Sequence, residues 1–347
     1  MNDSLNHPVQ PGAAADLSAD WIPCKLVQQE QQWLCSWLSL AGKRIAEPFF
    51  SDTILRCKAD AANNKHSRRF PSLSSLEYLT ACATVAADVV APSAFIFHVS
   101  RCGSTLLSQL LGLSEKNIVL SEVPLIDELL RMPIKGDQAE SPAAQATEAA
   151  GAAGAALTAS IALLGRRRFG QERHLFIKLD SWHVFFAGTL RRLYPDVPFI
   201  LLYRAPDEVI SSHQKRRGMQ AVPGLIEPEL FGMSHAEASS CDGDRYIAKV
   251  LEYYYSQFLN IAKTDERSML LNYSQGAIGM VRRLADFVHI NLDETEIAGM
   301  ETRSRFHAKY PEQGFSEEKK AACALAYLAP AQALYERLEQ VQKKAAG

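Results

Sequence analysis

A chain of 347 residues, 47% of them hydrophobic, is long enough for one α/β core carrying an appended smaller unit. Its net charge of −2 gives no broad positive footprint, so a nucleic-acid surface is not expected, and Arg166–Arg168 and Lys215–Arg217 need local explanations. Seven cysteines with no Cys-x-x-Cys pair and no zinc-spaced Cys/His cluster argue against a disulfide framework and fit a reducing cytoplasm.

The first 19 residues are polar, contain Pro8 and Pro11, and lack the features of a secretion signal; a flexible N-terminus is expected there. From 20 to 92 a helical N-terminal extension is expected, because Trp33, Trp37 and Leu40 fall at helical spacing and 73–90 is helix-compatible. The polar, basic stretch 60–71 between them reads as an exposed loop.

The domain proper is expected over 93–347. Phe95 to Val99 is a continuous apolar run, the mark of a buried parallel strand, and Leu106, Leu107, Leu110 and Leu111 then recur at helical spacing. The turn between them holds Arg101, Cys102, Gly103, Ser104 and Thr105. A glycine allows close backbone approach, and the amides and hydroxyls of a first helical turn point at an anion with the positive end of the helix dipole behind them. Aligned on the nucleotide-triphosphate loop, the segment keeps the last glycine as Gly103 and the hydroxyl as Thr105. It has Ser104 in place of the lysine and His98 in place of the first glycine. Without the lysine that reaches the outer phosphates of ATP, and with Arg101 as an earlier cation, a different phosphate donor is implied. Cys102 either replaces a serine or, at a helix N-terminus, is a reactive thiol.

Further strands are expected at 118–121, 175–179, 199–203 and 269–272, with Glu122 just beyond the first of them. Alternation of such strands with helices predicts a parallel β-sheet flanked by helices, whose ligands lie at the carboxyl ends of the strands. The alanine-rich stretch 139–165 reads as a helix; its most apolar part, 149–164, is too short and too interrupted to span a membrane. After the strand at 199–203 come Arg204, Pro206 suited to a first helical turn, and Ser212 eight residues beyond Arg204. The irregular 218–244 stretch, with Pro223, Gly224, Pro228 and Gly232, reads as a loop closing over a site. Helices are expected over 250–261, 278–288 and 316–343; the amphipathic C-terminal ones pack either internally or across a homodimer.

The 101–105 segment resembles the 5′-phosphosulfate loop of sulfotransferases that use 3′-phosphoadenosine 5′-phosphosulfate (PAPS), closest to the Arg-Ser-Gly-Thr-Thr form of the tyrosylprotein and bacterial branches. Arg204 and Ser212 resemble that family's 3′-phosphate pair, an arginine at a strand end and a serine eight residues later. The resemblance covers roughly 93–273. It implies a P-loop, sulfotransferase-like core that moves a sulfuryl group from PAPS to an acceptor hydroxyl by in-line displacement, leaving adenosine 3′,5′-bisphosphate, with no metal required. The acceptor would be a small molecule, a saccharide or a peptide, and the site cytoplasmic.

On this reading Arg101, Cys102, Gly103, Ser104 and Thr105 hold the 5′-phosphosulfate, and Arg204 with Ser212 recognises the 3′-phosphate. Lys178 matches the lysine of the family's Lys-Thr-His segment, but Asp180 stands in the histidine's place and His183 lies three residues on. In the tyrosylprotein branch a glutamate twenty-one residues after the loop arginine acts as base; that position here is Glu122, the preferred base, with Asp180 and His183 in reserve. The family's late Arg-Lys-Gly segment is missing, and the basic 303–309 stretch is a substitute for it or a solvated loop. Two other readings stand beside this one: a P-loop kinase using ATP and magnesium, disfavoured by Ser104, and a non-catalytic nucleotide-binding protein of the same fold.

Overall fold

The computed structural model describes residues 17–30, 32–60, 63, 73–135, 144–310, 312–314 and 325–346. In chain order its elements are β1 (Trp21–Gln29), β2 (Gln32–Ser39), α1 (Phe50–Ala59), β3 (Leu73–Ser75), α2 (Leu76–Val85), β4 (Pro92–His98), α3 (Ser104–Leu111), β5 (Asn117–Ser121), α4 (Pro124–Lys135), α5 (Ala144–Leu164), β6 (His174–Lys178) and α6 (Ala187–Leu193). There follow β7 (Phe199–Tyr203), α7 (Pro206–Lys215), α8 (His235–Ser240), α9 (Gly243–Thr264), β8 (Ser268–Asn272), α10 (Gly276–Phe287), α11 (Glu294–Ser304) and α12 (Ala329–Ala346).

Five of the strands form a parallel sheet in the order β5-β6-β4-β7-β8. β5 and β7 are buried at every position and β4 over its last five residues, as expected of strands covered on both faces. β4 runs beside β7 with Phe95 opposite Phe199 and His98 opposite Leu202, and β7 continues to β8 with Tyr203 opposite Asn272. All five expected strands are present within a few residues of their expected ends.

The chain divides into two compact units, 1–92 with 115–177 and 93–114 with 178–347. In the first, β1, β2 and β3 make an antiparallel sheet, and α5 packs against α2 and α4. This corrects the helical extension expected over 20–92: β1 and β2 form an antiparallel pair, and among the described residues the α-helix there is that of α1 and α2. Trp33 and Trp37 sit at a spacing both periods allow, yet Trp33 is 37% exposed while Leu34, Cys35 and Trp37 are buried. The turn enters the left-handed region at Glu30, φ +55°, without the glycine or asparagine that usually announces it. Trp37 donates its indole N–H to Ser74 Oγ at 2.8 Å, holding β2 to the β3 segment.

The same unit explains the Arg166–Arg168 cluster. Arg166 donates to the carbonyls of Leu17 and Ala87, and Arg168 to those of Ala19, Leu163, Leu164 and Arg166, so these guanidinium groups satisfy main chain rather than a polyanion. Burial pushes the Arg168 pKa down to about 10.

In the second unit α9 is an amphipathic helix whose Tyr246, Val250, Tyr254 and Phe258 are buried, capped by Asp242 accepting from the Arg245 N–H. α12 packs on α9 and is tied to β7 and β8: Tyr203 donates to Glu339 at 2.6 Å, Asn272 to Tyr335 at 3.0 Å, and Gln342 to the Leu270 carbonyl at 2.9 Å. α7 starts as expected, with Pro206 in its first turn and Asp207 and Glu208 beside the positive end. Stretch 218–244, expected to be irregular, holds two short 3₁₀ turns, α8 and the start of α9, joined by irregular segments. α11 was not foreseen. Residues 1–16 of the flexible segment expected over 1–19, most of the 60–71 loop and the 316–324 part of the last helix lie outside the described residues. No helix among the described residues is long and apolar enough to cross a membrane.

Candidate active site

β4 ends at His98, and the chain turns sharply into α3. Ser100, Arg101 and Gly103 all have positive φ, +63°, +51° and +83°. Two non-glycine residues in that region are costly unless their surroundings hold them. His98 is one of the holders: its Nε2 donates to the Leu179 carbonyl at 2.9 Å, which leaves Nδ1 to accept the Ser100 N–H at 3.0 Å. Gln220, from the short turn after α7, donates to Ser100 Oγ. Gly103 admits no side chain, for a Cβ there would lie 2.4 Å from a ring carbon of Tyr273. Gly103 is also the N-cap of α3, so Ser104 and Thr105 are its first two residues.

Cys102 corrects one of the two expectations for it. Its side chain is fully buried, its thiol donates to the Leu202 carbonyl at 3.5 Å, and burial pushes its pKa up to about 11. It is therefore an inward-facing anchor of the loop and not an activated nucleophile; desolvation outweighs the helix N-terminus.

The two phosphate motifs, more than a hundred residues apart in sequence, meet. Arg101 Nε donates to Ser212 Oγ at 2.8 Å, and Arg204 Nη1 donates to the Arg101 carbonyl at 3.2 Å. Arg204 also pairs with Glu208 at 2.7 Å and lies over the Tyr273 ring, 4.3 Å from its centroid. Its own carbonyl accepts from Tyr255 at 2.7 Å, which fixes the end of β7. Tyr273 is thus a residue of the site that sequence reasoning missed: an edge of its ring meets the loop glycine and its face carries the second arginine.

Burial, then the charges of Arg216 and Arg204, push the Arg101 pKa below its usual value. Among the described residues Arg101 and Arg216 have no carboxylate partner; their polar side-chain contacts are Ser212 Oγ and the Tyr310 hydroxyl. Two nearby imidazoles are held neutral by the same field. His213 is pushed down to about 4 by burial, then by Arg101 and Arg217, and accepts the Gly218 N–H at 3.3 Å. His307 is lowered by burial, then by Lys309, Arg101 and Arg303. A cluster of guanidinium groups around a glycine turn at a helix N-terminus is chemically an anion site.

Lys178 ends β6 and is 1% exposed. Its charge acts on Cys102, which places it within the loop's field. Asp180 and His183, the reserve bases, are engaged in their own turn: Asp180 caps 181–186, and its N–H donates to His183 Nδ1 at 3.2 Å. Both are buried and their geometry is that of a capping pair. Glu122 follows β5 in the first unit, half-buried, with φ +53°. All the other predicted site residues lie in the second unit.

Residues 92–223 match the model of the sulfotransferase family, a span that includes both phosphate motifs, Glu122 and Lys178. Among solved structures, a sulfotransferase from Alicyclobacillus acidocaldarius is 17% identical with a TM-score of 0.41, over 73% of this chain and 97% of that one. The sulfotransferase STF9 of Mycobacterium avium is 16% identical with a TM-score of 0.41, over 75% and 76%. A mouse sulfotransferase, SULT7A1, solved in complex with PAP, is 10% identical with a TM-score of 0.34, over 66% and 70%. No curated protein matches.

Proposed function

We propose that the protein is a PAPS-dependent sulfotransferase that places a sulfuryl group on an acceptor hydroxyl. The observation that carries this reading is the meeting of Arg101 with Ser212, with Arg204 against the same loop. An ATP site has no use for a second phosphate grip at that point; a nucleotide with a 3′-phosphate does. The fit is also electrostatic, since guanidinium groups that lower one another's proton affinity are relieved by a bound anion.

In this reading the 101–105 turn and the start of α3 hold the 5′-phosphosulfate, with Cys102 contributing through its main chain and Ser104 and Thr105 through amide and hydroxyl groups. Arg204 and Ser212 hold the 3′-phosphate. The acceptor oxygen attacks sulfur in line with the bridging oxygen, the sulfur–oxygen bond to the phosphate breaks, and adenosine 3′,5′-bisphosphate leaves. Glu122 takes the acceptor's proton, while Lys178 and Arg101 stabilise charge on the sulfuryl and leaving oxygens. Positioning and electrostatics supply this chemistry without a metal, as in phosphoryl transfer by analogy. The acceptor is a small molecule, saccharide or peptide bearing a hydroxyl.

Calorimetric titration with adenosine 3′,5′-bisphosphate, 5′-AMP and ADP with magnesium tests the donor assignment. Preference for the bisphosphate supports it, and replacing Arg204 by alanine is expected to remove most of that preference. Preference for ADP with magnesium overturns it in favour of phosphoryl transfer, and binding of none of the three overturns it in favour of a non-catalytic role.

A further inference from the structure

We propose that Glu339 of α12 is a positioning residue for the Arg204–Tyr273 pair: by bridging the ends of β7 and β8 it sets the geometry with which the site grips a 3′-phosphate. This rests on the donor reading above and brings into the site's machinery a helix that carries neither phosphate motif.

The first support is register. Tyr203 and Asn272 lie opposite each other as the last residues of β7 and β8, and the residues that follow them are Arg204 and Tyr273. Side chains at one register position of a sheet project from the same face, so a single group on that side can hold both strand ends. That group is Glu339, whose Oε1 accepts from the Tyr203 hydroxyl at 2.6 Å and from Asn272 Nδ2 at 2.6 Å. Just beyond the two strand ends, the guanidinium of Arg204 lies 4.3 Å from the centroid of the Tyr273 ring.

The second is the helix face. Tyr335, Glu339 and Gln342 are spaced four and three apart, so α12 offers all three from one side. Asn272 Nδ2 donates to the Tyr335 hydroxyl at 3.0 Å; Gln342 donates to the Leu270 carbonyl at 2.9 Å, and its Oε1 lies 3.0 Å from the Tyr203 hydroxyl. The Tyr335 ring meets that of Tyr203 at 5.8 Å between centroids and that of Tyr255 at 6.4 Å. Tyr255 in turn donates to the Arg204 carbonyl at 2.7 Å. Arg204 is therefore reached from α12 by two routes, one through Tyr203 along the chain and one through Tyr255 of α9.

The third is the chemistry of the bridge. Tyr203 and Asn272 are buried, and among the described residues the hydrogen-bond partners of Glu339 are these two neutral donors. A carboxylate is costly to bring against buried neutral groups, and packing alone is served better by an apolar side chain. What the carboxylate adds is direction, because charge-assisted bonds are shorter and stronger than neutral ones and hold their donors in place. Burial, then the hydrogen bond to Glu339, push the Tyr203 pKa far above its ordinary value, so the phenol stays a donor.

The test is the ratio of dissociation constants for 5′-AMP and adenosine 3′,5′-bisphosphate in wild type, Glu339→Ala, Glu339→Gln, Tyr203→Phe, Arg204→Ala and the Glu339→Ala/Arg204→Ala double variant, with circular dichroism as the check of folding. Glu339→Ala is expected to weaken the bisphosphate about three- to tenfold, with 5′-AMP within about twofold. Glu339→Gln keeps an oxygen able to accept both bonds and recovers most of the loss. Tyr203→Phe, which removes one hydroxyl and leaves the ring, weakens the bisphosphate about two- to threefold and carries the test where Glu339→Ala does not fold. In the Arg204→Ala background Glu339→Ala is expected to add nothing, whereas a general loosening of the fold weakens both nucleotides in either background. An unchanged ratio in the folded variants, equal loss for both nucleotides, or full additivity with Arg204→Ala overturns the proposal while the donor reading stands. Wild type that does not prefer the bisphosphate overturns both.

Discussion

Gly103→Ala puts the architecture of the loop to the strictest test. The glycine has φ +83°, where a residue with a Cβ costs roughly 1–2 kcal/mol. The added carbon would also lie 2.4 and 2.5 Å from two carbons of the Tyr273 ring, against the roughly 3.5–4.0 Å of an ordinary contact. Relief requires the ring to shift by about 1 Å beneath the guanidinium of Arg204, which rests over it at 4.3 Å, and so disturbs a contact worth roughly 0.5–2 kcal/mol. The combined cost is about 2–4 kcal/mol of stability.

Urea unfolding with shared slopes measures the loss, and bisphosphate titration measures the accompanying fall in affinity. The Gly103→Ala/Tyr273→Ala pair separates the causes. With the ring gone the collision vanishes, and the glycine substitution is expected to cost only its backbone share of roughly 1–2 kcal/mol. A Gly103→Ala protein as stable as wild type, or costs that simply add in the double variant, would refute the reasoning.

Glu122→Gln is expected to lower turnover at least a hundredfold, in line with loss of a general base at roughly 10²–10⁴, with bisphosphate binding unchanged; steady-state assay with PAPS and a hydroxyl acceptor decides, and retained turnover removes the base assignment. His213 makes stability pH-dependent. Its folded pKa of about 4 lies below the roughly 6.5 of an unfolded histidine, so the unfolded chain binds the proton first and stability is lost as pH falls from the upper value toward the lower, by roughly 3 kcal/mol in all. Urea midpoints at neutral and mildly acidic pH should converge less steeply for His213→Asn than for wild type; parallel curves would count against the shift. Cys102 is expected to resist thiol reagents until the protein unfolds, whereas the partly exposed Cys241 reacts in the native state; mass mapping of labelled peptides distinguishes them.

The sheet and the phosphate loop were legible because their signals are local. Phe95 to Val99 and Phe199 to Tyr203 are unbroken apolar runs, Gly103 to Thr105 follows one of them, and Pro206 marks the helix after the other. The β1–β2 hairpin was illegible because Glu30 takes the left-handed turn conformation without a turn residue's usual chemistry, and a Trp33/Trp37 spacing satisfies both periods. The choice between the two readings of Cys102 could not be made from sequence because its direction depends on Leu202, a hundred residues away. Tyr273 and Gln220 are invisible for the same reason: each matters only through a contact between distant segments.

That same distance explains how a loop without the usual lysine can still be rigid. Two strained residues, Ser100 and Arg101, persist because separate elements over-determine them: His98 from within β4, Gln220 from the turn after α7, and the Ser212 hydroxyl from α7. Cys102 and Tyr273 close the remaining sides, one from below through Leu202 and one against Gly103. On the proposed function, a loop fixed in this way need not reorganise when the donor's anion arrives, and the repulsion of Arg101 with Arg216 and Arg204 would be relieved by it. Neutral His213 and His307 fit the same economy, for a proton on either would add positive charge that no phosphate is placed to balance. On that reading the serine in place of lysine is no deficit, because the cations come from the flanks of the loop.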